Sequence, residues 1–221
     1  MTLTKTEDKD ICKACGGKCC KACGCNYASF DFPAINQAAL IEALESGHIS
    51  IIARLDFQFT PSGKPFASPI LYLRERNIGH NAIDLVNISS TCGSLTEVGC
   101  PYDIDNRPYG GAVLKPNYPG VCNSHDAQDI VCDSWMPYQN ILRKIVKRYT
   151  GKTVEEKIKE DVENLYYKIF TNNFNDFDSE TSIFMYKDMV WDFLQVYPVE
   201  IAKAKKRAEA RENPALRLTK N

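Results

Sequence analysis

Ten of the 221 residues are cysteine, and six of them crowd into Cys12-Lys-Ala-Cys15-Gly-Gly-Lys-Cys19-Cys20-Lys-Ala-Cys23-Gly-Cys25. Thiols at such spacing can form disulfides, run a redox-active pair, or ligate metal. Disulfides are awkward, because Cys19-Cys20 and Cys23-Gly-Cys25 would close only strained small rings and neighbouring Cβ vectors point apart. A thioredoxin-like reading of Cys12-x-x-Cys15 lacks the preceding strand and the parallel-sheet pattern, and six crowded thiols would scramble among themselves. Metal ligation accounts for the spacing: a C-x-x-C turn converges two sulfurs on one ion while its backbone N–H groups donate to them. Lys13, Lys18 and Lys21, interleaved with the cysteines, are placed to offset thiolate charge.

The other four cysteines extend the pattern. Cys92 and Cys100 flank a Gly-containing loop that ends in Cys100-Pro101, and Cys122 and Cys132 bracket NSHDAQDIV. The two groups are expected to meet in space, with the later loops closing over the N-terminal block. All ten, Cys12, Cys15, Cys19, Cys20, Cys23, Cys25, Cys92, Cys100, Cys122 and Cys132, are candidate metal ligands. An all-sulfur set suits zinc, cuprous copper or iron–sulfur clusters and disfavours magnesium, calcium and manganese. Histidine is scarce, with only His48, His80 and His125. The choice between zinc and iron stays open, an iron–sulfur cluster included, although the bacterial ferredoxin run is absent. Ten ligands exceed the four that one structural zinc takes, which leaves room for more than one centre.

Cys12-x-x-Cys15-x-x-x-Cys19-Cys20, a long gap, Cys92-x-x-Leu95-x-x-x-Gly99-Cys100 and then Arg107-Pro108 resembles the YkgJ-like cysteine-cluster family, whose members are described as zinc- or iron-chelating proteins. The stretch Arg107-Pro-Tyr-Gly-Gly-Ala-Val-Leu-Lys-Pro116 is similar to an R-P-x-G-G-x-x-L-x-P segment of one branch. The resemblance covers roughly residues 12 to 140. It implies Cys12, Cys15, Cys19, Cys20, Cys92 and Cys100 as core ligands and Arg107 near the cluster; Cys23, Cys25, Cys122 and Cys132 rest on the local argument alone. It implies no particular reaction.

The elements that must hold these sulfurs read as α+β, mostly helical, with irregular cysteine-rich loops organised by metal and a short β-hairpin or small sheet. NQAALIEALESG predicts a helix with Leu40, Ile41 and Leu44 on one face, stopped at Gly47 and covering the cluster from one side. Ile49 to Phe59 turns strand-like, Pro61-Ser-Gly63 makes a turn, and Ile70 to Arg76 reads as the partner strand. Residues 88 to 137 are rich in Gly, Pro, Asn and Asp; a loop that long needs something to tie it down, and metal would. Gln139 to Tyr149 has helical spacing, ended by Gly151. Thr153 with Glu156 forms a capping box opening a second helix through Val154, Ile158, Val162, Leu165, Tyr166 and Ile169. TNNFNDFDS is a linker, and Ile183 to Val196 a third helix whose Phe184, Trp191 and Phe193 read as core. Residues 1–137 therefore form the cysteine-cluster region and 138–221 a helical region packed on it, with a charged tail, the two as one compact unit.

The charge balance, 27 Lys plus Arg against 28 Asp plus Glu, gives a net charge of −1, which argues against a protein that coats nucleic acid or an anionic membrane. No apolar run reaches the length of a membrane span, and MTLTKTEDKDIC is polar where a secretory signal would be apolar. A cytoplasmic metal-binding protein is expected, structural or metal-handling, with metal ions as its partners. The alternative is a redox or protein-modifying enzyme with an iron–sulfur or open zinc site, helped by His80, His125, Asp126 and Arg107. A third reading is an interaction module whose basic tail, from Glu200 to Asn221, recruits a protein partner.

Overall fold

The structure, a computed structural model, describes residues 14–17, 20–21, 24–59, 61, 65–76, 81–86, 91–97, 100–118, 121–123 and 125–170. In chain order the elements are β1 (Asn26–Tyr27), a 3-10 turn at Ser29–Asp31, α1 (Gln37–Glu45), β2 (Ile49–Phe59), β3 (Pro65–Glu75), α2 (Tyr109–Ala112), β4 (Lys115–Tyr118), β5 (Val121–Asn123), α3 (His125–Trp135), a 3-10 turn at Met136–Tyr138, α4 (Gln139–Thr150) and α5 (Val154–Phe170). The α+β class is what the chain adopts: helices around a small antiparallel sheet of order β1-β3-β2, with β4 and β5 as a separate hairpin.

The first helix follows its sequence signals. The Asn36 side chain accepts from Ala39 N at 3.1 Å as the N-cap, Leu40 and Leu44 are buried, and Gly47 takes φ +78° after the last turn. That conformation costs glycine little because it has no Cβ. The chain then extends into β2, which runs the length expected. Its partner β3 starts at Pro65, earlier than the apolar run from Ile70 suggests. Two prolines argue against a strand there, yet both fit. Leu71 N and Glu75 N donate away from β2, to the Gln139 side chain and to Cys25 O. Side-to-side alternation along a strand then points the nitrogens of Pro65 and Pro69 outward too, where no ladder bond is lost.

Part of each open edge of the sheet is covered. β1 is too short to cover β3, so Gln139 continues in its place: its Oε1 accepts from Leu71 N at 2.9 Å and its Nε2 donates to Leu71 O at 2.8 Å. Along β2, Ile51 N donates to Ala82 O and Asp84 N to Ile51 O, so residues 81–86 lie beside it like an added parallel strand. An edge covered this way cannot template pairing with another chain.

One apolar core runs from Ala28 through Ile51, Ile52, Leu71, Leu73 and Leu85 to Trp135, Leu142, Ile145, Ile158 and Val162, and so crosses position 137. α4 ends at Gly151 (φ +69°), and α5 opens on the capping box: Thr153 N donates to Glu156 Oε2 at 2.8 Å and Glu156 N to Thr153 Oγ1 at 3.3 Å. Residues 88–137 hold more order than their composition suggests. α3 lies within them, burying Ala127, Val131 and Trp135, an i, i+4, i+8 stripe hidden among polar neighbours. The linker, the third helix and the basic tail lie outside the described residues.

Candidate metal centre

Cys25 leads into β1, and its carbonyl accepts from Glu75 N at 2.7 Å. Trp135 also holds β1: the buried indole Nε1 donates to Tyr27 O at 2.8 Å. The approach to Cys25 needs glycine. Gly24 sits at φ +71° with a would-be Cβ 1.9 Å from Glu75 O. Across from it, a Cβ on Gly111 of α2 would lie 2.3 Å from Cys25 Sγ and 3.4 Å from Arg107 Cδ. The Arg107-Pro-Tyr-Gly-Gly segment is thus backbone packed directly on the Cys25 thiol, with Arg107 beside it; Arg107 also donates to Tyr102 O at 3.1 Å.

The N-terminal block and the Cys92 loop meet. Cys92 N donates to Cys20 O at 2.6 Å, and Thr91 Oγ1 donates to Lys21 O at 3.2 Å. Leu95 Cδ1 lies 3.2 Å from where a Gly17 Cβ would be. Behind this junction is a polar group. Glu75, only 4% exposed, accepts from Ser94 Oγ at 2.8 Å and from the Tyr27 hydroxyl. Ser94 Oγ and Tyr102 OH stand 3.1 Å apart. Burial, and then the hydrogen bond to Glu75, raise the Tyr27 phenol well above its ordinary range.

The Cys92 thiol is pushed up to about 11, by burial first; the backbone amides of Ser94 and Leu95 lower it and the charges of Glu75 and Cys100 raise it. Two amides facing one sulfur are what a bound thiolate uses, but without a cation this sulfur keeps its proton at neutral pH. Cys100 is exposed and Cys15 half-buried; Cys15, Cys92, Cys100 and Cys132 carry thiols, with no disulfide.

Cys132 departs from the group. It is buried on α3 against Arg54 of β2, whose guanidinium hydrogen-bonds it and lowers its thiol against the larger upward push of burial. Arg54 pairs with Ile70, five residues along β3 from Glu75 and so about 16 Å away at the strand rise. Asp129, not another cysteine, completes that contact with Arg54. Cys122 lies in β5, opposite Pro116. Cys12, Cys19, Cys23 and His80 lie outside the described residues, as do the side chains of Cys122, His125 and Asp126.

Among the described residues, no three His, Cys, Asp or Glu side chains stand close enough together to hold an ion. Sequence reasoning passed over Glu75, Tyr27 and Ser94. One signal was available: Leu-Arg74-Glu75-Arg76 closes an apolar strand with three consecutive charges, all buried. Arg74 reaches Asn26 Oδ1 at 2.6 Å and Tyr72 OH at 3.1 Å, and Arg76 reaches Asp84 at 2.8 Å.

No helix among the described residues is long and apolar enough to cross a membrane. The chain matches no protein-family model, and neither curated proteins nor solved structures give a significant match.

Proposed function

We propose that this chain binds zinc or iron through cysteine thiolates drawn from the 12–25 segment and from the Cys92–Cys100 loop, as a structural or metal-handling protein of the YkgJ-like kind. The observation that carries the reading is the 2.6 Å hydrogen bond from Cys92 N to Cys20 O, which joins two cysteine-bearing segments far apart in sequence. The Ser94 and Leu95 amides would support a thiolate at Cys92. Arg107 and the lysines around the N-terminal cysteines would offset the charge of several sulfurs. A bound metal supplies the cation that lets buried thiols ionise, and binding therefore releases protons. The reading puts the protein in a reducing compartment, the cytoplasm.

Among the described cysteines, Cys132 alone joins the apolar core cluster, so metal would organise the loops rather than the sheet and helices. The test is metal analysis and a visible spectrum of protein purified without oxygen, then chelation followed by hydrogen exchange. Near-stoichiometric zinc in a colourless protein, or iron in a brown one, is expected. Chelation should strip protection from residues 14–25 and 91–107 while leaving β2, β3 and α4 protected. A protein that takes up neither metal under reducing conditions overturns the reading.

A further inference from the structure

We propose that α5 is an acid-tightened latch: a proton on Asp161 holds the helix on the side of the 81–86 segment, and loss of that proton loosens it about the Gly151 turn. The helix buries Val154, Ile158 and Val162 in the core, an i, i+4, i+8 stripe. Lys157 and Asp161 flank that stripe, one position before Ile158 and Val162, so an ammonium and a carboxylate enter the packed side of the helix. Both are largely covered, with 16% and 14% of their side chains exposed, and Lys157 Nζ bonds Asp161 Oδ1. α4 and α5 join at Gly151, where φ is +69° and nothing stands within 4 Å of a would-be Cβ among the described residues, which leaves room for the backbone to turn.

The ion pair meets like charge from across the interface. Asp84 N donates to Ile51 O at 3.0 Å, which holds the 81–86 segment beside β2. Asp84 Oδ2 accepts at 2.8 Å from Arg76 Nη2, a fully buried guanidinium just past β3. The Asp84 charge still acts on Asp161 from this side, and Glu160 acts on it from α5 itself. Arg143 and Lys147 of α4 act on the first turn of α5 instead, on Glu155 at 2.7 Å and on Glu156. Lys152 donates to Glu160 Oε1 at 2.5 Å. Asp161 Oδ2 is shut off from solvent and has no hydrogen-bond partner among the described residues.

A proton on that oxygen removes one of the two carboxylate charges, and Lys157 keeps Glu160 Oε2 at 3.4 Å. Burial above all, with the charges of Asp84 and Glu160, outweighs Lys157 and pushes the Asp161 carboxyl up to about 6. Swung into water, the same carboxyl returns to the ordinary range near 4. The docked helix therefore holds a proton that the open one releases. Docking is tightest below about pH 4 and weakens as pH rises through about 6.

The experiment is hydrogen exchange of the full, reduced chain, followed by NMR between pH 5 and 7 with a chelator present so that metal at the thiols contributes nothing. Protection factors remove the pH dependence of the exchange chemistry itself. Those of the Ile158 to Val162 amides should fall about tenfold from pH 5 to 7. They should also stay below those of Ile52 and Tyr72 in the sheet, the mark of an opening confined to α5. In Asp161→Asn the fall should vanish. A 13C titration of the Asp161 carboxyl in the parent, which needs no variant to fold, should give a midpoint above pH 5. Helix amides as protected as the sheet overturn the inference, as does protection that ignores pH. A fall that survives in Asp161→Asn, or a carboxyl midpoint near 4, overturns it equally, and each of these outcomes leaves the metal-binding reading standing.

Discussion

Replacing Gly111 by alanine should destabilise the protein, and the same change should become neutral or stabilising once Cys25 is also alanine. Gly111 has ordinary helical backbone in α2, so alanine brings no torsional strain. On propensity alone it would gain up to about 1 kcal/mol. The added methyl, however, would sit 2.3 Å from Cys25 Sγ, against a comfortable separation of about 3.5–4 Å. The sulfur or the α2 backbone must then retreat by more than about 1 Å, and overpacking of this kind costs about 1–3 kcal/mol. A net loss of about 1–2 kcal/mol is expected for Gly111→Ala alone.

In the Cys25→Ala background the obstructing atom is gone. The next neighbours, Arg107 Cδ and Cγ at 3.4 and 3.5 Å, tolerate a methyl. The propensity gain should then show, giving a coupling between the two sites of about 2 kcal/mol. Urea unfolding of all four proteins, with reductant and chelator present to remove any metal term, measures the cycle. Gly111→Ala effects of the same sign and size in both backgrounds would refute the packing of the Gly-Gly segment on the Cys25 thiol, and with it the placement of Arg107 beside the sulfur.

Burial pushes the Asp161 carboxyl up to about 6, the nearby charges of Asp84 and Glu160 add to this, and Lys157 only partly offsets it. The folded state therefore holds a proton that the unfolded chain releases near pH 4, so stability should fall by about 2–3 kcal/mol as pH rises from about 4 to 6. Asp161→Asn should flatten that slope in thermal melts across the range; an unchanged slope assigns it to another group. Gln139→Met keeps the side-chain volume but leaves Leu71 N and O unpaired, and about 2–4 kcal/mol should be lost in urea melts at constant m-value. A loss under about 0.5 kcal/mol would mean that water reaches this strand edge.

Local signals carried the regular elements. The apolar spacing of Leu40 and Leu44, the Gly47 and Gly151 stops, the Thr153–Glu156 box and the alternation through Ile49 to Phe59 each act within a few residues, so the sequence alone locates α1, β2, α4 and the start of α5. The same holds for donor chemistry: thiols at C-x-x-C and CC spacing mark a soft-metal candidate whatever the fold. Other features needed the tertiary structure, because they depend on which strand edges stay open and which backbones touch. Pro65 and Pro69 fit a strand only because β1 is short and their nitrogens face outward. Ala127, Val131 and Trp135 act as a helix face because the sheet and α4 close a core around them. Cys132 turns to Arg54, and Glu75 comes to the Cys92 loop through Ser94, by strand register that no residue spacing encodes. Residue type decides what an atom can do; its partners are set by chain paths that come together only when the core closes.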